Sequence, residues 1–238
     1  MIPSCRIVDL SHSVEPSDIN ESHFLLKMLI GHCAPGTLHI VAVDFSERQT
    51  HPEILFAEGF GQYFIGYNTG LFPMLLSEEQ SFFELGQYKD DHANLIPSIA
   101  PVIKNLGQES FRNSLQAVPK EKVVIKRALK PVLSEGKLTG TVIYVDDHGT
   151  LYTNIRMDDL QGIKGSASIQ IVLSRHETID RLSKHPGEVP PGEVAGYYCD
   201  AGTLAISVNR GNASKLLGIK KGSNIIVEPK NQDLFVQQ

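Results

Sequence analysis

Cysteine is scarce in this chain, and what little there is excludes a disulfide scaffold. Cys5, Cys33 and Cys199 are odd in number and form no CxxC pair, which fits buried thiols in a reducing cytoplasm. No apolar run approaches the ~20 residues a membrane span requires, and no stretch reads as a signal peptide. An excess of basic charge is also lacking: 22 Lys and Arg stand against 27 Asp and Glu, a net charge of -5. A nucleic-acid partner is therefore not expected. The one basic run, Lys120 to Lys130, is interleaved with Val123, Val124 and Ile125, and predicts a half-exposed strand leading into a linker. The nine histidines are scattered, without HxxxH or HExxH spacing, so no metal site is expected. Gly-x-Ser-x-Gly is absent, and Gly59-Phe-Gly61 does not extend to a dinucleotide fingerprint. There is no internal repeat and no low-complexity segment.

What is present is an ordinary globular composition, 41% hydrophobic with 20 Gly and 13 Pro over 238 residues, enough for two modest cores. Arg6-Ile-Val-Asp-Leu10 reads as a buried strand. Pro16, Ser17 and Asp18 then supply helix-start chemistry, and Phe24, Leu25, Met28 and Leu29 keep a helical period up to Pro35-Gly36. Leu38 to Asp44 reads as a sheet strand buried on both faces. Strand, helix, strand in that order predicts a parallel unit. Gln62 to Gly66 is a further strand after the turn at Glu58-Gly-Phe-Gly61, and Asn68-Thr-Gly70-Leu-Phe a loop into a short helix. Asn94 to Leu106 predicts a short or kinked helix because of Pro97 and Pro101. From Gly136 the texture changes to short β-rich runs at 142–145, 169–173, 194–199, 204–208 and 225–228, separated by glycine-rich turns, which predicts a small antiparallel barrel. The expected architecture is an α/β N-terminal domain with a mostly parallel sheet over residues 1–133 and a C-terminal antiparallel β-barrel over 134–238.

Several pieces in order carry a resemblance. They are Arg6-Ile-Val-Asp-Leu-Ser-His12 with Pro16 and Asp18, Pro35-Gly-Thr-Leu-His39-Ile-Val-Ala-Val-Asp44, Gln62-Tyr-Phe-Ile65 with Asn68-Thr-Gly70, Gly140 to Ile155, Gly187 to Glu193, and Leu204 to Gly218. As a set they resemble the S-adenosyl-L-methionine hydroxide adenosyltransferases, the family that also contains fluorinating and chlorinating enzymes acting on the same sulfonium. The resemblance implies in-line displacement of methionine from the 5′ carbon by water, giving adenosine. It also implies a homotrimer with sites between subunits, a small-molecule substrate, and no cofactor beyond the substrate itself.

Residue roles carry over position by position. Asp44, Arg48 and His92 match the family's Asp, Arg and His around the attacking water, although the Phe-His-Gly-Arg-Asp pattern is absent around His92. Asp146 corresponds to the carboxylate that takes the methionine ammonium. Asn68, Thr150, Pro186, Asp200, Arg210, Gly211 and Asn212 fall at substrate-binding positions. Thr150 stands where an adenine-reading Asn is usual, Pro186 where an aromatic stacks, and Asp200 where Ser is common. The family's opening strand, ending in Thr-Asp-Phe-Gly, and the helix after it have no counterpart before Ile2-Pro3, and a start placed downstream of the natural one is the expectation. Bland readings stand beside these. Asp44 reads as a cap, Arg48 beside Glu47 as a surface pair, His92 after Asp90-Asp91 as loop surface, and Asp146-Asp-His-Gly149 as a hairpin turn. The alternative function is a non-catalytic homologue that binds S-adenosylmethionine or adenosine in an eroded site.

Overall fold

The computed structural model describes residues 6–43, 51, 53–87, 95–106, 108–163, 168–174 and 177–230. It divides into two compact units, Met1–Ala128 and Leu129–Gln238. Asp44, Arg48 and His92 lie outside the described residues.

In the first unit, helix α1 (Ile19–Ile30) starts where its sequence signal puts it. The Asp18 side chain accepts from Glu21 N at 3.0 Å, supplying one of the orphan N–H groups of the first turn with an acceptor. Strand β1 (Leu38–Val41) follows, then β2 (Glu53–Gly59), β3 (Gln62–Tyr67), α2 (Leu71–Leu75), β4 (Phe83–Gln87), α3 (Leu95–Asn105), α4 (Glu109–Ser114) and the short β5 (Gln116–Ala117). The strand order is β1-β3-β2-β4-β5. Among the described residues β1 and β3 run parallel, and β2–β3, β2–β4 and β4–β5 are antiparallel. The mostly parallel sheet expected from the sequence is thus corrected to a mixed, mainly antiparallel one.

The physical reason is the Phe60-Gly61 turn. Both residues have positive φ, 55° and 70°, as the tight turn of a two-residue hairpin demands. The turn therefore returns the chain beside itself as β3 instead of starting a crossover. Strand β2 has no counterpart among the strands expected from the sequence, and its Ile54, Leu55, Phe56 and Ala57 are all fully buried.

Other expectations are corrected with it. Arg6 to Leu10 is exposed coil rather than a buried strand, with Ile7 86% exposed. Among the described residues β1 pairs with β3 alone, and Ile40, half out in solvent, shows that the strand is not covered on both faces. The Lys120 to Lys130 run carries a single 3-10 turn at Lys120–Lys122 and no strand. Helix α3 runs 11 residues with Pro101 inside it. Pro97 falls in its first turn, where no N–H is needed.

The end of α1 is tied to the sheet through an amide. Gln62 Nε2 donates to Ile30 O (2.9 Å) and Cys33 O (3.1 Å), so its Oε1 is left to accept from Nε2 of the buried His39 at 2.6 Å. That arrangement places the His39 proton on Nε2. The ring also stacks on Phe64, centroids 4.9 Å apart.

The second unit carries β6 (Val132–Ser134), β7 (Lys137–Val145), β8 (Leu151–Arg156), β9 (Ile169–Ser174), β10 (Glu177–Ile179), β11 (Val194–Tyr198), β12 (Thr203–Val208), α5 (Ala213–Leu217) and β13 (Asn224–Pro229). The strands form one eight-stranded antiparallel sheet in the order β10-β9-β13-β7-β8-β12-β11, with β6 beside β7. A bridge between Leu182 and Gly196, with Ser183 N donating to Gly196 O at 2.8 Å, brings the two ends of that order together. The result is a nearly closed barrel around Leu138, Val142, Leu151, Ile155, Leu204, Ile206 and Ile225.

Gly140 permits the tightest approach in this wall: a Cβ there would sit 2.2 Å from Ile155 Cγ1. Gly140→Ala is expected to cost about 1–3 kcal/mol by overpacking, read as a lower urea midpoint for unfolding of this unit.

Candidate functional site

Asp146 closes the β7–β8 hairpin. Its backbone N donates to Thr150 O (3.2 Å), Gly149 N donates to Asp146 O (2.9 Å), and Thr150 N donates to Asp146 Oδ1 (2.8 Å). Asp is suited to this position because its side chain reaches its own backbone a few residues on. Gly149 is required twice over. Its φ is +83°, and a Cβ would meet Asn212 Oδ1 at 2.1 Å.

That contact joins two distant sequence pieces. Asn212 caps α5 by accepting from Lys215 N at 2.9 Å, and Ser214 N donates to Gly149 O at 3.0 Å. A third piece joins through Asn209, whose Nδ2 donates to Val189 O (2.6 Å) and whose backbone O accepts from Gly192 N (2.8 Å). The structure therefore gathers Asp146, Thr150, Arg210, Gly211, Asn212 and the 187–193 segment along one rim of the barrel. Pro186, half-buried, opens the 3-10 turn Pro186–Glu188 that leads into that segment. Asp200 is not gathered with them. It is exposed in the turn between β11 and β12, at the opposite end of that hairpin from Asn209 to Asn212.

Below the rim, the strand registers assemble a row of phenols that sequence reading missed. Tyr144 is opposite Tyr152, Tyr152 is opposite Ala205, and Ala205 is opposite Tyr197. Directly opposed residues share a face, and this face is the one turned away from Leu204, Ile206 and Val208 in the barrel core. The Tyr144 and Tyr152 rings stack with centroids 5.8 Å apart, and Tyr152 OH donates to Asp146 Oδ2 at 3.2 Å. The Tyr152 phenol is held far above its ordinary pKa, first by burial and then by the Asp146 carboxylate. Tyr197 is raised too, chiefly by burial, with Asp146 adding and the nearby Ser207 and Thr150 hydroxyls opposing. Ser207 Oγ, although beside this phenol, is the buried side-chain oxygen without a regular hydrogen bond among the described residues. The signal available in sequence was the alternation Asp146, Thr150, Tyr152; the partner Tyr197 is visible only once register is known.

In the first unit, Asn68 is fully buried and its amide is committed. Nδ2 donates to Glu53 Oε2 (3.0 Å) and Lys122 O (2.8 Å), while Oδ1 accepts from Val124 N (2.9 Å). It pins the 122–124 segment to the ends of β2 and β3. Among the described residues no group of three or more His, Cys, Asp or Glu could hold a metal ion. Cys33 and Cys199 are free thiols.

Two measurements check these assignments. Asn68→Ala strands buried partners and is expected to lower stability by about 3 kcal/mol, read by urea unfolding. Three phenols, Tyr152, Tyr197 and Tyr198, are raised, each chiefly by burial; they favour the folded state fully below their unfolded pKa, about 10, and this contribution is lost as pH rises toward their folded values. Thermal melts are expected to be flat up to about pH 9.5 and to fall steeply above about pH 10, with a shallower fall in a Tyr197→Phe variant.

The SAM hydroxide adenosyltransferase N-terminal domain matches residues 1–99, and the C-terminal domain of the same family matches residues 140–226. An (R)-S-adenosyl-L-methionine hydrolase of Thermus thermophilus is 24% identical over 92% of this chain and 87% of its own length. A relative of the same name from Salinispora tropica is 23% identical over 95% of this chain and 88% of its own. Among solved structures, an uncharacterised conserved protein from Thermotoga maritima superposes with a TM-score of 0.71 at 23% identity, covering 95% of this chain and 90% of that one. Two domain matches in the right order, together spanning most of the residues, establish that the chain belongs to the SAM hydroxide adenosyltransferase family.

Proposed function

We propose that the protein is an S-adenosyl-L-methionine hydrolase that releases adenosine and L-methionine. The reaction is one displacement: a water oxygen bonds to C5′, the C5′–S bond breaks, and its electron pair leaves on sulfur as the neutral thioether of methionine. The water's proton passes to an acceptor or to solvent. A neutral leaving group needs no general acid, so the work of the site is to hold and desolvate one water in line with the bond.

The observation that carries the reading is the rim built on Asp146, Gly149 and Asn212, because three family-matched segments far apart in sequence meet there. Relatives with the hydrolase name, matched over most of both chains, supply the reaction. Asp146 is assigned to the substrate ammonium, a charge-assisted contact. The loop at Arg210 to Asn212 is assigned to the adenine edge, with Thr150 and Pro186 beside it. Asp44, Arg48 and His92 are assigned to the water. A homotrimer in the cytoplasm, with each site completed by a neighbouring subunit, is part of the same proposal. Asn68 is given a supporting rather than a substrate-contacting role, since it is fully buried and both its amide nitrogen and its oxygen are engaged within the protein.

Incubation with both sulfonium epimers of S-adenosylmethionine, followed by chromatography, is expected to show adenosine and methionine in equal amounts from the (R) form. Asp146→Ala is expected to raise KM about 10- to 100-fold with a smaller change in kcat. Calorimetric binding without any adenosine release would instead favour the non-catalytic homologue.

A further inference from the structure

The Asp146 carboxylate is held more firmly than its turn requires. A turn-closing Asp needs one oxygen, and Oδ1 meets that need by accepting from Thr150 N at 2.8 Å. The second oxygen, Oδ2, accepts from Tyr152 OH at 3.2 Å, a bond that closes no turn and no strand ladder. Tyr152 is itself located by two things: its place opposite Tyr144 in the β7–β8 register, and the ring stack with Tyr144 at 5.8 Å and 29°. One donor on each oxygen fixes the rotation of the carboxylate about its own axis and leaves a further lone pair on each oxygen.

We propose that Tyr152 is a positioning residue for the amino-acid end of the sulfonium substrate, holding Asp146 in the one orientation that receives the ammonium. The inference rests on the hydrolase reading above and deepens it. An unpinned carboxylate would have to be ordered at each binding event, so the phenol acts on affinity for the ammonium-bearing ligand and not on the bond-breaking step. The phenol remains a donor throughout the working pH range, because burial and the adjacent carboxylate both oppose its ionisation.

The test is Tyr152→Phe, which keeps the ring and its stack and removes only the hydroxyl. Kinetics on S-adenosylmethionine are run beside calorimetry with S-adenosylmethionine and with adenosine, which lacks the ammonium. The expected result is a KM and Kd for S-adenosylmethionine raised about tenfold, kcat within about twofold of wild type, and an unchanged Kd for adenosine. Unchanged affinity for S-adenosylmethionine overturns the inference. So does an equal loss for both ligands, the signature of a merely structural role. A wild type that binds S-adenosylmethionine yet releases no adenosine overturns the hydrolase reading separately, and the comparison of the two dissociation constants then decides on Tyr152.

Discussion

The second unit is organised around the contact between Gly149 and Asn212. A glycine with positive φ lets the β7–β8 turn press against the residue that caps α5, at a separation no side chain would tolerate. From that contact the rest of the rim follows. The Asp146 carboxylate is fixed by the turn, the Arg210 to Asn212 loop is fixed by the cap, and Asn209 draws in the 187–193 segment. An ordinary hairpin turn and a binding residue are therefore not competing descriptions of Asp146. The turn geometry is the means by which its carboxylate is presented.

The first unit solves a different problem with the same economy. Two buried amides, Gln62 and Asn68, each satisfy several polar groups from separate segments, one tying the end of α1 to β3 and the other tying the 122–124 segment to the sheet. Buried amides with every donor and acceptor engaged specify a unique arrangement, because any other leaves polar groups unsatisfied in the interior. For Asn68 this structural duty explains the side chain without a ligand. At Asp146 each oxygen retains acceptor capacity beyond the bonds it makes. What separates the two positions is exposure: Asn68 is fully buried, while Asp146 on the rim is half-buried.

The phenol row on the barrel's other face gives the carboxylate its surroundings. Tyr152 and Tyr197 flank the fully buried Ala205, so two polar tips and one small residue sit where a barrel exterior would ordinarily be plain surface. Burial keeps both phenols neutral, and a neutral phenol donates to a carboxylate where a phenolate would repel it. The position of Asp200 at the far end of the β11–β12 hairpin also removes it from the rim that holds Asp146.

Local chemistry was readable directly from the chain. The Asp18 cap of α1, the short helix after Gly70, the five β-rich runs after Gly136 and the turn at Asp146 all depend on residues within a few positions of one another, and each is found. What the chain could not disclose by itself was pairing. Whether β3 lies against a neighbour from a crossover or from a hairpin, whether Arg6 to Leu10 finds a sheet to join, and which tyrosines stand in one row are settled by long-range register. A one-residue shift would exchange the two faces of a strand. Sequence thus determined the family, the barrel and the carboxylate at the turn. Only the folded chain decided that the first sheet is mainly antiparallel and that Asp146 has a phenol on its second oxygen, because cross-strand neighbours are chosen by the packing of whole sheets.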